Sequence, residues 1–231
     1  LRAREAKPFV RVRPPPSAPT TMEQRIHDTL EYYIHGELPR VLLLSGMHGD
    51  EYEAGELLEL FVKNHYLKLP DFLFIPRVSP SAVNARTRKN AYGHDINRQF
   101  IDTTDDPEAR RVMSLLKQFS FDLCIDVHED PDRTMGFYLY DSDQMTDEEL
   151  ATFRAIIHPT GARLYTGVDD VDDENLNLYV EKGYVSLGFE KSEAVSGFSS
   201  RWLYEENRCK RSFTTEIPGK GPRELKTKLI H

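Results

Sequence analysis

Cysteine is nearly absent: the 231 residues include two, Cys124 and Cys209. That excludes a disulfide-built scaffold, and the apolar stretch around Cys124 points to a buried thiol. No apolar run approaches the roughly 18–20 residues of a membrane span. The longest, Val-Leu-Leu-Leu at 41–44, has strand length. Positive charge is in deficit, with 30 Lys and Arg against 38 Asp and Glu, a net charge of −8. A sequence-independent nucleic-acid binder needs the opposite balance to replace phosphate counterions. Neither nucleic acid nor membrane is therefore an expected partner. Internal repeats are missing, and so is a recognisable secretory leader, which makes the cytoplasm the default expectation.

What is present is a polar chain that can still build a core. Hydrophobic residues make up 39% and charged residues 29%, and 12 Phe and 11 Tyr are available for packing. The length suits one domain. Proline is plentiful, and the triplet Pro14-Pro15-Pro16 favours extended polyproline backbone. Residues 1–20 are read as an extended N-terminal arm and 21–231 as a single domain.

Along the domain, Ile26, Leu30 and Ile34 are spaced like one face of a helix over 22–34, capped by Thr20 or Thr21 and ended by Gly36. The short apolar run at 40–45 reads as a strand buried on both faces; 72–76 reads as a second apolar strand and 121–127 as a third. Helices are expected over 53–66, 107–119 and 148–157, with later strands at 137–140, 185–189 and 211–217. A polar loop, 77–104, separates the second strand from its helix. The alternation gives an α/β fold: a mixed, largely parallel central sheet flanked by helices. In such sheets ligands bind beyond the carboxyl ends of the strands. The chemically loaded residues sit there: His48 and Glu51 after the first strand, residues 77–98 after the second, His128 at the end of the third and Glu216 at the end of the last.

His48-Gly-Asp-Glu51 is the one place where a histidine has a glutamate three residues ahead. A sharp turn can bring an imidazole nitrogen and a carboxylate to one point. His128, at the same sheet edge, supplies a third donor. Two histidines and a glutamate match a three-ligand catalytic zinc site with a place left for water. Taken singly, each of these side chains is more ordinarily a hydrogen-bonded loop residue; the shared sheet edge is what raises the metal reading.

Several segments resemble a known family. Ser45-Gly-Met-His-Gly-Asp-Glu51 looks like the zinc turn of M14-type zinc metallocarboxypeptidases, a superfamily that includes the aspartoacylase/succinylglutamate desuccinylase group. Arg88-Lys-Asn-Ala-Tyr-Gly-His-Asp-Ile-Asn-Arg-Gln-Phe100 resembles its Gly-x-Asp-x-Asn-Arg-x-Phe segment. Asp126-Val-His128 resembles the strand carrying the third ligand. The stretches 196–204 and 211–218 resemble the specificity loop and the strand of the catalytic glutamate. These segments stand in family order across roughly 40–218.

The resemblance implies roles. His48, Glu51 and His128 would hold one zinc ion, and Asp95 would orient His48. Asn97 and Arg98 would grip a substrate carboxylate, Arg by its planar fork. Arg86 or Arg88 would stabilise the oxyanion; Arg86 is preferred. Glu216, ending an apolar run, would act as general base and proton shuttle. Ser200 falls where the family tunes side-chain preference, and Arg201 beside it suggests an acidic or polar leaving residue. Glu193 stands where these peptidases usually carry a clamping tyrosine, so Tyr179, Tyr184 or Tyr204 would have to serve instead, or the substrate differs. Only fifteen residues follow Glu216, so a minimal version of the fold is expected. The implied activity is zinc-dependent hydrolysis of an amide next to a carboxylate-bearing residue in a peptide or peptidoglycan-type fragment. The alternative is an N-acyl amino acid deacylase of the aspartoacylase type, and a catalytically silent binding module is the third reading.

Overall fold

In the computed structural model, residues 21–171, 173, 176–189 and 196–231 are described. The proline-rich arm, 1–20, and Glu193 lie outside them. In chain order the elements begin with β1 (Glu23–His27), β2 (Leu30–His35), β3 (Val41–Ser45), α1 (Tyr52–His65), β4 (Phe72–Ile75) and α2 (Pro80–Ala85). Then come α3 (Pro107–Leu116), β5 (Phe121–Asp130), β6 (Gly136–Asp141) and α4 (Asp147–Ile157). The short strands β7 (Arg163–Leu164), β8 (Gly167–Val168), β9 (Tyr179–Val180) and β10 (Tyr184–Ser186) follow, and α5 (Ser199–Glu205), β11 (Cys209–Pro218) and α6 (Arg223–Ile230) close the order.

The main sheet runs β1-β2-β4-β3-β5-β11-β6-β10, with β7 beside β6. Its centre, β4-β3-β5-β11, is parallel throughout. The outer β2 and β6 run antiparallel to their inner neighbours. Apolar residues fill both faces of the centre: Leu42, Leu44 and Cys124 pack with α3 and α5 on one side, and Leu43, Phe74 and Val127 with α1 and α6 on the other.

The helix expected over 22–34 is instead a β-hairpin. Asp28 and Thr29 both take positive φ, 45° and 72°, the backbone of the two-residue turn whose twist suits a hairpin. Leu30 and Ile34 share a face in a strand as well as in a helix, and Tyr32 joins them there while Tyr33 packs on the opposite side. Ile26, expected inward, is exposed. The polar stretch 77–104 also holds more order than expected. It contains α2 and a 3-10 turn, Ile96–Arg98, in which Ile96 and Asn97 are buried.

Candidate metal centre

The turn after β3 carries His48 and ends on Glu51, the residue before α1. Gly49 makes the turn possible: a Cβ there would lie 1.8 Å from the Ala82 carbonyl oxygen of α2. Parallel pairing of β3 with β5 sets Ser45 beside Val127, which brings the turn to His128. The three side chains are buried and converge, with one donor atom from each within 4.8 Å of the others. His48 Nδ1 lies 2.6 Å from Glu51 Oε1, and His128 Nδ1 lies 2.9 Å from Glu51 Oε2.

Both imidazoles are backed by a carboxylate on the far nitrogen. His48 Nε2 is 3.0 Å from Asp95 Oδ1. His128 Nε2 is 3.3 Å from Asp126 Oδ1, and neither of those two buried atoms forms a fully aligned hydrogen bond with any described residue. Despite burial, Glu51 and Asp95 raise the pKa of His48, and Asp126 and Glu51 raise that of His128 further. In return the imidazoles hold Glu51 and Asp95 far below the ordinary carboxylate range, against the cost of their burial. The carboxylates thus favour positive charge on the imidazoles they face. Two imidazole Nδ1 atoms and a carboxylate, each imidazole oriented by an outer acid, form a donor set that suits a borderline divalent cation. The three side chains are placed so that they could hold a metal ion.

Parallel pairing with β5 sets Glu216 of β11 directly beside His128. Burial pushes its carboxyl up to about 8, with His128 opposing the rise and Glu51 and Asp130 adding to it. Antiparallel β6 sets Tyr138 opposite Glu216 and Tyr140 opposite Thr214. All four line a cleft of about 440 Å³ together with His48, Glu51 and His128.

Three arginines reach this cleft: Arg88, Arg98 and Arg133. Arg88 lies beside this cluster, 3.5 Å from Glu51 and 3.0 Å from Asp95. Arg86, the residue favoured from sequence, does not line the cleft. It adopts φ 54° at the end of α2, and its guanidinium packs 3.9 Å from the centre of the Tyr52 ring. Arg98 lies 4.0 Å over the Phe198 ring and pairs with Asp173. Asn97 is buried, and its side-chain oxygen accepts the Ser199 N–H at 3.1 Å.

Ser200 lines the cleft, but Arg201 does not. Arg201 is bound to Glu205 at 2.6 Å and to the Phe189 carbonyl at 3.2 Å. It sits on α5 one residue beyond Ser200, so its side chain leaves in another direction. The three tyrosines weighed as clamps are also elsewhere. Tyr179 is exposed, Tyr184 hydrogen-bonds Asp141, and Tyr204 packs on Phe189. The cleft's tyrosines are Tyr138 and Tyr140, whose hydroxyls donate to Asp130 and Asp169. Their i, i+2 spacing beside the Glu216 strand was a usable signal. So was Asp126, two residues before His128 on the same strand face.

The model of the succinylglutamate desuccinylase/aspartoacylase catalytic domain matches residues 37–227. Among solved structures, a candidate metallopeptidase from Shewanella amazonensis SB2B has a TM-score of 0.70 at 21% identity, covering 90% of this chain and 84% of that one. A metallo-carboxypeptidase from Burkholderia cenocepacia has a TM-score of 0.58 at 17% identity, covering 87% and 59%. An aspartoacylase family protein from Mesorhizobium loti has 0.53 at 20%, covering 87% and 60%. At such identities the likeness is one of fold. A sequence search of curated proteins gave no match.

Proposed function

The chain belongs to the succinylglutamate desuccinylase/aspartoacylase catalytic-domain family, and on that premise we propose that it is a zinc-dependent hydrolase of an amide bond next to a carboxylate-bearing residue. The observation that carries the proposal is the buried His48–Glu51–His128 triad with Glu216 on the neighbouring strand. The family match favours an N-acyl amino acid as substrate. A peptide with a free C-terminal carboxylate is the second reading, favoured by the fold shared with a metallo-carboxypeptidase.

His48 Nδ1, Glu51 and His128 Nδ1 would hold the zinc. When bound, zinc supplies Lewis-acid polarisation of the scissile carbonyl and lowers the pKa of water at the site. The protein's own groups do the rest. Arg98 offers a planar fork to the substrate carboxylate. Asn97 already gives its side-chain oxygen to Ser199, so its amide NH2 is the group left to donate to the same carboxylate. Together they fix the substrate end and so the position of the amide. Arg88, beside Glu51 and Asp95, is the cation suited to negative charge developing on the carbonyl oxygen. Glu216 takes the proton of the attacking water and delivers it to the leaving nitrogen. Its raised pKa suits a group that must both accept and donate near neutrality.

The test pairs metal analysis with product detection by mass spectrometry on a mixed panel of N-acyl amino acids, C-terminal-residue peptides and muropeptides. Glu216→Gln is expected to keep its zinc and lose about 100- to 10,000-fold in turnover. Undiminished turnover in that variant removes Glu216 from the mechanism. Protein that takes up no zinc removes the proposal itself.

A further inference from the structure

The two histidines of the metal site are joined by a second route that avoids Glu51. His48 Nε2 lies 3.0 Å from Asp95 Oδ1, which also accepts the Asn97 N–H at 3.0 Å. The Asn97 side-chain oxygen accepts the Ser199 N–H at 3.1 Å. The Ser199 hydroxyl donates to Asp126 Oδ2 at 2.9 Å. Asp126 Oδ1 then faces His128 Nε2 at 3.3 Å. With Glu51 between the two Nδ1 atoms, these residues close a ring. Ser199, Asp126 and Asn97 are each buried, at 2%, 1% and 5% exposure.

We propose that Ser199 is a positioning residue that joins the metal-holding half of the site to its substrate-holding half. The inference rests on the metal-centred reading above. The physical case is an accounting of donors and acceptors. Asp126 Oδ2 receives a hydrogen bond from Ser199, while Asp126 Oδ1 has no fully aligned donor among the described residues. Rotation of that carboxylate about its own axis is therefore set by the serine. The carboxylate angle in turn decides whether Oδ1 can accept from His128 Nε2. A bound cation would be held by the Nδ1 side of the ring, and Asp126 would then be the anchor for His128 among the described residues. The same serine's backbone N–H settles which end of the Asn97 amide faces the cleft. One buried residue thus orients a metal ligand through its side chain and a substrate group through its main chain. Ser199 does not line the cleft, so its effect on the site passes through Asp126 and Asn97.

The experiment measures zinc affinity by competition with a chromogenic chelator, using zinc alone, in the full chain. Wild type is compared with Ser199→Ala, Ser199→Thr and Asp126→Asn, and the melting temperature of each metal-free protein is recorded. Ser199→Ala is expected to weaken zinc binding about tenfold, and Asp126→Asn about 10- to 100-fold, as outer partners of metal-bound histidines do. Ser199→Thr keeps the hydroxyl and is expected to recover most of the loss. At saturating zinc, Ser199→Ala is expected to raise KM for whichever panel substrate is turned over by more than it lowers kcat. Unchanged zinc affinity in a folded Ser199→Ala, with or without a lower melting temperature, overturns the inference and leaves only packing. If Ser199→Ala does not fold, Asp126→Asn decides alone by the same criterion. Wild type that binds no zinc overturns the functional reading instead, a result distinct from equal binding by wild type and variants.

Discussion

Lys226 is the perturbation whose size the structure lets one work out most directly. Its ammonium is buried at 2% exposure and donates to Glu129 at 2.6 Å, to Glu53 at 2.7 Å and to the Gly219 carbonyl at 2.7 Å. Glu129 is itself buried, follows His128 on β5 and gives its backbone N–H to Glu51 at 3.1 Å. In Lys226→Met the stem's packing survives and the charge does not. Glu53 keeps Arg223 at 3.0 Å and partial access to water. Among the described residues Glu129 keeps the Ala54 N–H at 2.6 Å and no cation, so the loss falls on Glu129. Removing one partner of a buried pair costs about 3–5 kcal/mol, or roughly 6–20 °C in Tm for a chain of this size. Burial already pushes the Glu129 carboxyl up, against the pull of Lys226. Without the lysine it rises further, so the folded state binds a proton that the unfolded state releases. The deficit is therefore present at neutral pH and closes as pH falls through the raised carboxyl value toward the ordinary one. The assay is urea unfolding followed by the single, buried tryptophan, Trp202, at pH 7 and pH 4.5 with chelator present. The double variant with Glu129→Gln should return to within about 1–2 kcal/mol of wild type. A loss under about 1 kcal/mol at pH 7, or one that does not change with pH, refutes the reasoning.

Three smaller predictions follow. Asp173→Asn removes the carboxylate that pairs with Arg98 and should lower KM for a carboxylate substrate by up to about fivefold, while Arg98→Ala raises it; steady-state kinetics on the same substrate decides, and a raised KM in Asp173→Asn contradicts the pairing. Arg201→Ala should leave KM for acidic and neutral substrates alike within about twofold, because its guanidinium is spent on Glu205 and Phe189 outside the cleft; a selective loss on acidic substrates returns Arg201 to the site. The buried Asp106 carboxylate works against its burial to accept from Ala109, Asn90, His94 and Glu108, which depress its pKa. Its stabilisation is thus complete above the ordinary aspartate value and lost as pH falls through the depressed one. Asp106→Asn should cost about 1.5–3 kcal/mol at pH 7 and flatten the acid limb of a Tm–pH curve; an unchanged limb points to other carboxylates.

The centre of the sheet was readable because buried parallel strands are largely apolar: β3 and β4 are short apolar runs, and β5 keeps Phe121, Leu123, Cys124, Ile125 and Val127 around Asp122 and Asp126. The hairpin at β1–β2 was not, because Leu30 and Ile34 satisfy both periods and the deciding signal was backbone geometry at Asp28 and Thr29. Ser79-Pro80 carried a helix start for α2 that the polarity of the segment obscured. Choosing between Arg86 and Arg88 required knowing that α2 ends in a left-handed residue, which sends Arg86 to Tyr52 and brings the chain back two residues later over Asp95. His48, Glu51, His128 and Glu216 were legible as a group because strand ends in a parallel sheet share an edge. Ser199 was not, since its role depends on a backbone N–H and a hydroxyl meeting two different partners.

The pairing of Glu216 with His128 also sets what changes of chain length the protein can absorb. Along β11, Thr214 and Glu216 face the cleft, whereas Thr215 and Ile217 face the apolar groove beneath the sheet. Inserting or deleting one residue within β11 exchanges the two sets. It would present Thr215 or Ile217 to the metal site and bury Glu216 against Leu43 and Phe72. A two-residue shift keeps the faces but moves the carboxylate by about 6–7 Å along the strand. Length variation is therefore confined to the turn before Cys209 and to the chain beyond Pro218, and the strand between them can change only by substitution.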